Sequence, residues 1–179
     1  MTVTFLREVD KMPENETPSP SLSWGIKRSF IDYIFRMPDG HGSVTDGATL
    51  SKTEEFVYEW AESARADDGG TVWKFRGDVR LSGHHGLLYV RIADPWLSLR
   101  DNRATVSIAD PFDEDGIRID IATADLGSRD VSGVDSGVGA VWAADPVLLS
   151  AEATGLFNDV YREGEEFDPM LVRLPREAD

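Results

Sequence analysis

Residues 71–93 read TVWKFRGDVRLSGHHGLLYVRIA. From Thr71 to Leu81 the residues alternate. Trp73, Phe75, Gly77, Val79 and Leu81 fall on one side, and Lys74, Arg76, Asp78 and Arg80 on the other. A period of two with one apolar face predicts a half-buried antiparallel strand. Gly83-His84-His85-Gly86 then punctuates the chain, and Leu87–Ala93 resumes with Leu88, Val90 and Ile92 on one face. The stretch reads as a β-hairpin with two histidines at its tip.

The same period continues outward. Upstream, Phe56, Tyr58 and Trp60 alternate with Val57 and Glu59, and AESARADDGG follows as a turn. Downstream, strand-like runs at Trp96–Leu99, Ala104–Ile108, Ile117–Thr123 and Val138–Ala143 are separated by RDN, PFDEDG and SRDVSGVDSG, which are rich in turn formers. FDPMLVRLP near the end reads as a short edge strand bracketed by prolines. Helical spacing occurs twice. Ser23 is placed to cap Trp24–Arg36, where Ile26, Phe30, Tyr33 and Ile34 share one face. Met37-Pro38-Asp39-Gly40 ends that helix, and HGSVTDGA after it reads as a loop. Ser150 is placed to cap a second helix running to Tyr161.

Two short α-helices and seven or more short strands without βαβ alternation argue against a parallel sheet. The expected fold is mainly β: a single antiparallel β-sandwich-like domain, or a closed β-layer, with the two helices at its ends. Met12–Ser21 holds three prolines and two glutamates, so residues 1–21 are expected to be a flexible lead. The domain is expected over 22–175, with 176–179 a tail.

The 179 residues carry 18 Lys+Arg against 33 Asp+Glu, a formal net charge of −15. That charge argues against nucleic-acid binding, which needs clustered cations, and against an anionic membrane surface. No apolar run reaches the roughly 18 residues of a membrane span. No signal peptide is visible, which favours a cytoplasmic location, or the cell envelope or exterior if a leader has been removed. Cysteine is absent, which excludes disulfides and thiolate metal sites. With 4 Met and 3 His, any metal ligand must come from His, Tyr or a carboxylate.

His84 and His85 between glycines read either as a polar hairpin tip or as imidazoles placed for binding. Alternation would put the two rings on opposite faces. Periodicity by itself makes Tyr33 a core aromatic with its hydroxyl at the edge. Asp113, Glu114 and Asp115 miss the calcium-loop spacing and read as a solvated turn. GVDSGVG at 133–139 lacks the following amphipathic helix of a phosphate site. Nucleophile-elbow, zincin, P-loop and dinucleotide motifs are absent from the sequence.

Three blocks, in order, resemble HtaA domains, the haem-binding modules of actinobacterial haem uptake. LSWGIKRSFIDYI (22–34) is similar to the family's L-x-W-G-[VI]-K-x-S-F-x-x-Y-[VI] opening. Trp73–Pro95 resembles its G-x-V-x-F-x-G-H-x-G-x-L strand pair, and Leu149–Pro169 its closing L-[ST]-x-x-G…Y-x-x-G-x-x-[FL]-D-P stretch. The resemblance spans roughly 22–175. It implies a non-enzymatic protein that binds ferric haem b for capture, transfer or storage. Tyr33 would be the iron ligand, supported by a histidine, with His84 the family's G-H-x-G residue and His85 beside it. Phe30 and Ile26 would flank the ligand, and Leu87 or Tyr89 would cover the porphyrin. Lys27, Arg36, Arg76 and Arg80 are the candidate cations for the propionates. Expected partners are haem and another haem-binding protein as donor or acceptor. The alternatives are a haem-free β-sandwich interaction module and a haem-dependent peroxidase drawing on His85 or His41.

Overall fold

The computed structural model describes residues 19–113, 115–129 and 138–176. The expected lead (apart from its last three residues), Glu114, residues 133–137 of the glycine-rich run and most of the tail lie outside these. The described elements are β1 (Ser21–Trp24), α1 (Arg28–Arg36), β2 (His41–Thr45), β3 (Ala48–Leu50), β4 (Phe56–Arg65), β5 (Thr71–Arg76), β6 (Asp78–Gly83), β7 (Leu88–Ala93), β8 (Trp96–Arg100), β9 (Arg103–Ala109), β10 (Arg118–Arg129), β11 (Val138–Leu149), β12 (Glu166–Phe167) and β13 (Met170–Pro175).

The larger sheet runs β1-β13-β11-β10-β9-β8-β5-β4, and β4 pairs back onto β1. Eight antiparallel strands thus close a barrel. β3 adds to β4, and β12 to β11. A separate antiparallel sheet runs β2-β6-β7. The mainly β, antiparallel expectation holds, but the large sheet closes on itself instead of stacking as a sandwich. Closure satisfies the edge groups that an open sheet would leave unpaired. Leu22, Tyr58, Phe75, Leu97, Val106 and Val172 belong to the buried core.

The run expected as one strand from Thr71 to Leu81 is two strands in two different sheets. The break is Gly77, which holds φ +148°. A Cβ there would sit 2.7 Å from the Ala48 Cβ and backbone nitrogen, so only glycine lets the chain pass. The backbone carries on past Gly77 into the second sheet, and Trp73, Phe75, Val79 and Leu81 are buried on either side of the break while Arg76 and Arg80 are exposed. Period two therefore reports the pleat but not the sheet to which it belongs.

Three further expectations change. Ser23 lies in β1, where it pairs with Val57 and Leu171, so it caps no helix. The helix begins at Arg28, after Ile26 at φ 62°. Its first turn is served from the far end of the chain, where Asp168 Oδ2 accepts the Arg28 N–H at 3.1 Å. Gly25 makes room for that carboxylate, since a Cβ there would lie 2.6 Å from Asp168 Oδ2. Between Ser150 and Tyr161 the chain makes two short 3-10 turns, Ala151–Ala153 and Gly155–Phe157, instead of an α-helix. They end in Asn158 and Asp159 with φ of 54° and 55°, which breaks helical propagation. β13 is a central strand between β1 and β11. Its prolines do not prevent this, because Pro169 precedes the strand and Pro175 closes it. HGSVTDGA, read as a loop, is the β2–β3 connection with its flanking strands.

Candidate functional site

α1 packs Phe30, Ile31 and Ile34 into the core. Tyr33 falls on the flank of that face and is 48% exposed, so it is not a core aromatic. Across from it, β6 ends at Gly83 and the chain makes a tight left-handed turn through His84–Gly86. Tyr33 Oη and His84 Nε2 share a hydrogen bond at 2.5 Å. Their ring centroids are 5.9 Å apart. The two residues are 51 positions apart in sequence, and only the docking of α1 beside β6 brings them together.

His85 takes no part in this contact. Its side chain is 94% exposed and its Nδ1 lies 3.8 Å from Asp39 Oδ2. The alternation expected at the hairpin tip thus resolves to one histidine on Tyr33 and one toward solvent. The tip is a left-handed turn instead of a continued strand. His41 starts β2, paired with Ser82.

Phe30, Tyr33, His84, Leu88, Phe157, Asn158, Val160 and Tyr161 line a groove of about 420 Å³. Its floor is aromatic. Phe30 meets Phe157 edge-on at 5.4 Å, and Phe157 meets Phe167 at 5.1 Å and Tyr161 at 5.8 Å. Val160, 68% exposed, leaves its side of the groove open, while Leu87, 83% exposed, is not among the lining residues. Asn158 Nδ2 donates to the Leu87 carbonyl at 3.3 Å and joins the two lips. Burial pushes the Tyr161 phenol above its ordinary pKa, while a Ser29 hydrogen bond pulls the other way. Tyr161 therefore stays a neutral hydroxyl at neutral pH.

The other expected residues sort cleanly. Ile26 is fully buried and does not line the groove. Lys27 is engaged elsewhere: Nζ donates to the Glu166 carbonyl at 2.8 Å, pairs with Glu165 at 3.3 Å and lies 5.1 Å from the Tyr161 ring centroid. Arg76 pairs with Glu59 and Arg80 with Asp78, each at 2.7 Å. The Arg36 side chain, exposed in the last turn of α1, has no hydrogen bond or ion pair among the described residues. Tyr89 does not line the groove.

Leu88, Phe157, Asn158, Val160 and Tyr161 were missed as a group by the sequence reading. The available signal was Asn158-Asp159, a pair that tolerates left-handed backbone and argues against a helix running through it. Among the described residues no cluster of three or more His, Cys, Asp or Glu could hold a bare metal ion. No helix among them is long and apolar enough to cross a membrane.

A closed antiparallel barrel with a flanking helix, its half-exposed tyrosine hydrogen-bonded to a turn histidine beside an apolar groove, defines a β-barrel module with a candidate ligand site. The HtaA family model, described as Htaa, matches residues 19–173, and the chain belongs to that family. The crystal structure of the C-terminal domain of HtaA from Corynebacterium glutamicum is similar at 24% identity and TM-score 0.64, over 86% of this chain and 94% of that one. The N-terminal domain of the same HtaA is similar at 21% identity and TM-score 0.64, over 89% and 99%. The haem-binding protein HtaB from C. glutamicum is similar at 19% identity and TM-score 0.62, over 88% and 92%. None of the curated proteins matches the chain.

Proposed function

We propose that this protein binds ferric haem in the groove beside α1, with the Tyr33 phenolate as the axial ligand and His84 holding that phenolate, and that it captures, passes on or stores haem without catalysis. The observation that carries this reading is the 2.5 Å contact between Tyr33 Oη and His84 Nε2 at the mouth of the apolar groove. A free phenol, with a pKa of about 10, is a weak ligand at neutral pH. Fe(III) stabilises the phenolate directly, and tyrosinate is an established class of haem ligand. An imidazole N–H donated to the phenolate oxygen fixes its orientation and tunes its electron donation. A hard anionic oxygen favours Fe(III) over Fe(II), which suits transport more than oxygen carriage.

The residues present fit the group. A half-exposed phenol offers an open approach for iron, and Phe30, Leu88, Phe157 and Val160 offer aromatic and aliphatic walls for a porphyrin. The groove volume of about 420 Å³ lies within the roughly 300–1,000 Å³ range of cofactor pockets. Membership of the HtaA family, and a fold similar to that of the haem-binding protein HtaB, support the same reading. In a chain of net charge −15, Arg36 is the propionate candidate left without an anionic partner among the described residues.

The test is hemin titration of the wild type and Tyr33→Phe. The wild type is expected to give a high-spin ferric Soret band with a tyrosinate-to-iron charge-transfer band. Tyr33→Phe is expected to lose the charge-transfer band and weaken binding. An unchanged ferric spectrum and affinity in Tyr33→Phe would overturn the ligand assignment.

A further inference from the structure

The turn that carries His84 is unusual in its backbone. His84, His85 and Gly86 hold φ of 51°, 56° and 87° in succession. A left-handed conformation is unfavourable for an L-residue, because its Cβ crowds the following carbonyl, and here two of the three residues carry a Cβ. Such a turn persists only where its surroundings hold it. The holding contacts come from the end of α1 and the turn that follows. Asp39 Oδ2 accepts the His85 backbone N–H at 2.5 Å. A Cβ on Gly83 would lie 2.3 Å from the Met37 Cε, so Met37 packs directly against the start of the turn. The His85 N–H bond, and to a lesser degree the His84 N–H, hold the Asp39 carboxyl below its ordinary range. The anion is therefore the form that clasps the turn. Tyr33, Met37 and Asp39 thus grip Gly83–His85 at three successive points.

We infer that Asp39 is a positioning residue for the Tyr33–His84 pair: its carboxylate anchors the left-handed turn and thereby holds the His84 imidazole on the phenol. The inference rests on the haem reading for its effect on iron, but the clasp is a property of the protein by itself. Asp39 is not among the groove-lining residues, so it acts through His84. Without it, the turn is free to relax toward right-handed backbone, and the Nε2–Oη contact lengthens or breaks. Asp39→Asn keeps a carbonyl oxygen that can accept the His85 N–H, but without the charge.

The experiment has two arms. In the haem-free protein, the His84 ring nitrogen resonances are compared among the wild type, Asp39→Ala and Tyr33→Phe. Asp39→Ala is expected to shift them toward the Tyr33→Phe values, and unchanged resonances overturn the inference. In the haem-loaded protein, release to an excess of apomyoglobin is timed. Asp39→Ala is expected to speed release by about tenfold, the lower end of what removing an outer-shell partner of a metal ligand does to affinity, with Asp39→Asn intermediate. In a His84→Ala background the Asp39→Ala effect should vanish, since coupled positions are not additive. An effect that persists undiminished there, or is absent in the wild-type background, overturns the inference. A wild type that takes up no hemin would sink the haem reading, while the haem-free arm still decides the clasp.

Discussion

Tyr33 Oη on α1 and His84 Nε2 in the turn after β6 meet at 2.5 Å, and neither side chain has another described partner that would hold it there. The contact exists because the helix is docked at both ends. Asp168, in the link between β12 and β13, serves its first turn, and Met37 and Asp39 lock its end to the histidine turn. Haem chemistry at this site would depend on the placement of α1 as much as on the tyrosine itself.

The two adjacent histidines are expected to behave differently. His84→Ala removes the hydrogen bond to the phenolate, so haem release should speed by about 10–100-fold and the charge-transfer band should move. His85→Ala removes a ring that points to solvent and keeps the backbone N–H that Asp39 holds, so both readouts should stay within twofold of the wild type. Parallel stopped-flow release and absorbance measurements check the pair. Equal effects in both variants would show that the turn is read wrongly.

Asp168→Ala is expected to weaken α1 without touching the groove. The carboxylate accepts the Arg28 N–H, while the helix's own cap position, Lys27, offers no side-chain acceptor. Loss of a capping acceptor costs about 0.5–2 kcal/mol. Urea denaturation should show that loss as a lower midpoint with an unchanged slope, and hemin affinity should fall only modestly. Asp168→Asn should recover much of the stability, since its amide oxygen still accepts.

Some of this was legible in the sequence and some was not. Alternation located β5 to β9 because their inward positions are strongly apolar. It could not show that the chain changes sheets at Gly77, since the crowding against Ala48 is a tertiary fact. The β2–β3 connection carried a local sign that went unread: Asp46-Gly47 takes φ of 56° and 106°, a left-handed pair that marks a tight turn between two strands. Tyr33 and His84 were paired by resemblance, not by spacing. The wall made by Phe157 and Val160 was hidden by a helical reading of Ser150–Tyr161. The short 3-10 turns there bury Ala153, Leu156 and Phe157, and that spacing mimics one helical face over a few residues.

The three-stranded sheet has a pH signature. Asp78 is 4% exposed and takes guanidinium hydrogen bonds from Arg80 and Arg91 at 2.7 and 2.8 Å. Burial pushes its carboxyl up, but the two guanidinium groups outweigh this and hold it below the ordinary value. A depressed folded pKa contributes stability above the unfolded carboxylate pKa of about 4, lost as pH falls through the folded value. Unfolding free energy measured in urea between pH 3 and 7 should therefore fall at the acid end. Asp78→Asn should flatten that fall and cost about 1.5–3 kcal/mol at pH 7, the worth of hydrogen bonds to charged groups. An unaltered acid slope in Asp78→Asn would assign the dependence to other carboxylates.

Gly77 and Val160 separate fold from site. Gly77→Val places a branched side chain into the 2.7 Å approach of Ala48 and demands a φ that β-branched residues avoid. Overpacking alone costs about 1–3 kcal/mol, so the variant should unfold at markedly lower urea or fail to accumulate. Val160→Asp changes a side chain that is 68% exposed and packs on nothing that holds the barrel. Its unfolding free energy should stay within about 0.5 kcal/mol of the wild type, as surface substitutions do. Yet Val160 lines the groove, and a carboxylate there would face both the apolar porphyrin and its propionates. Hemin affinity should drop at least tenfold, and added salt should restore part of it by screening the like charges. If Val160→Asp binds hemin as the wild type does, haem does not occupy this groove, and the search for its site would have to begin again from Tyr33.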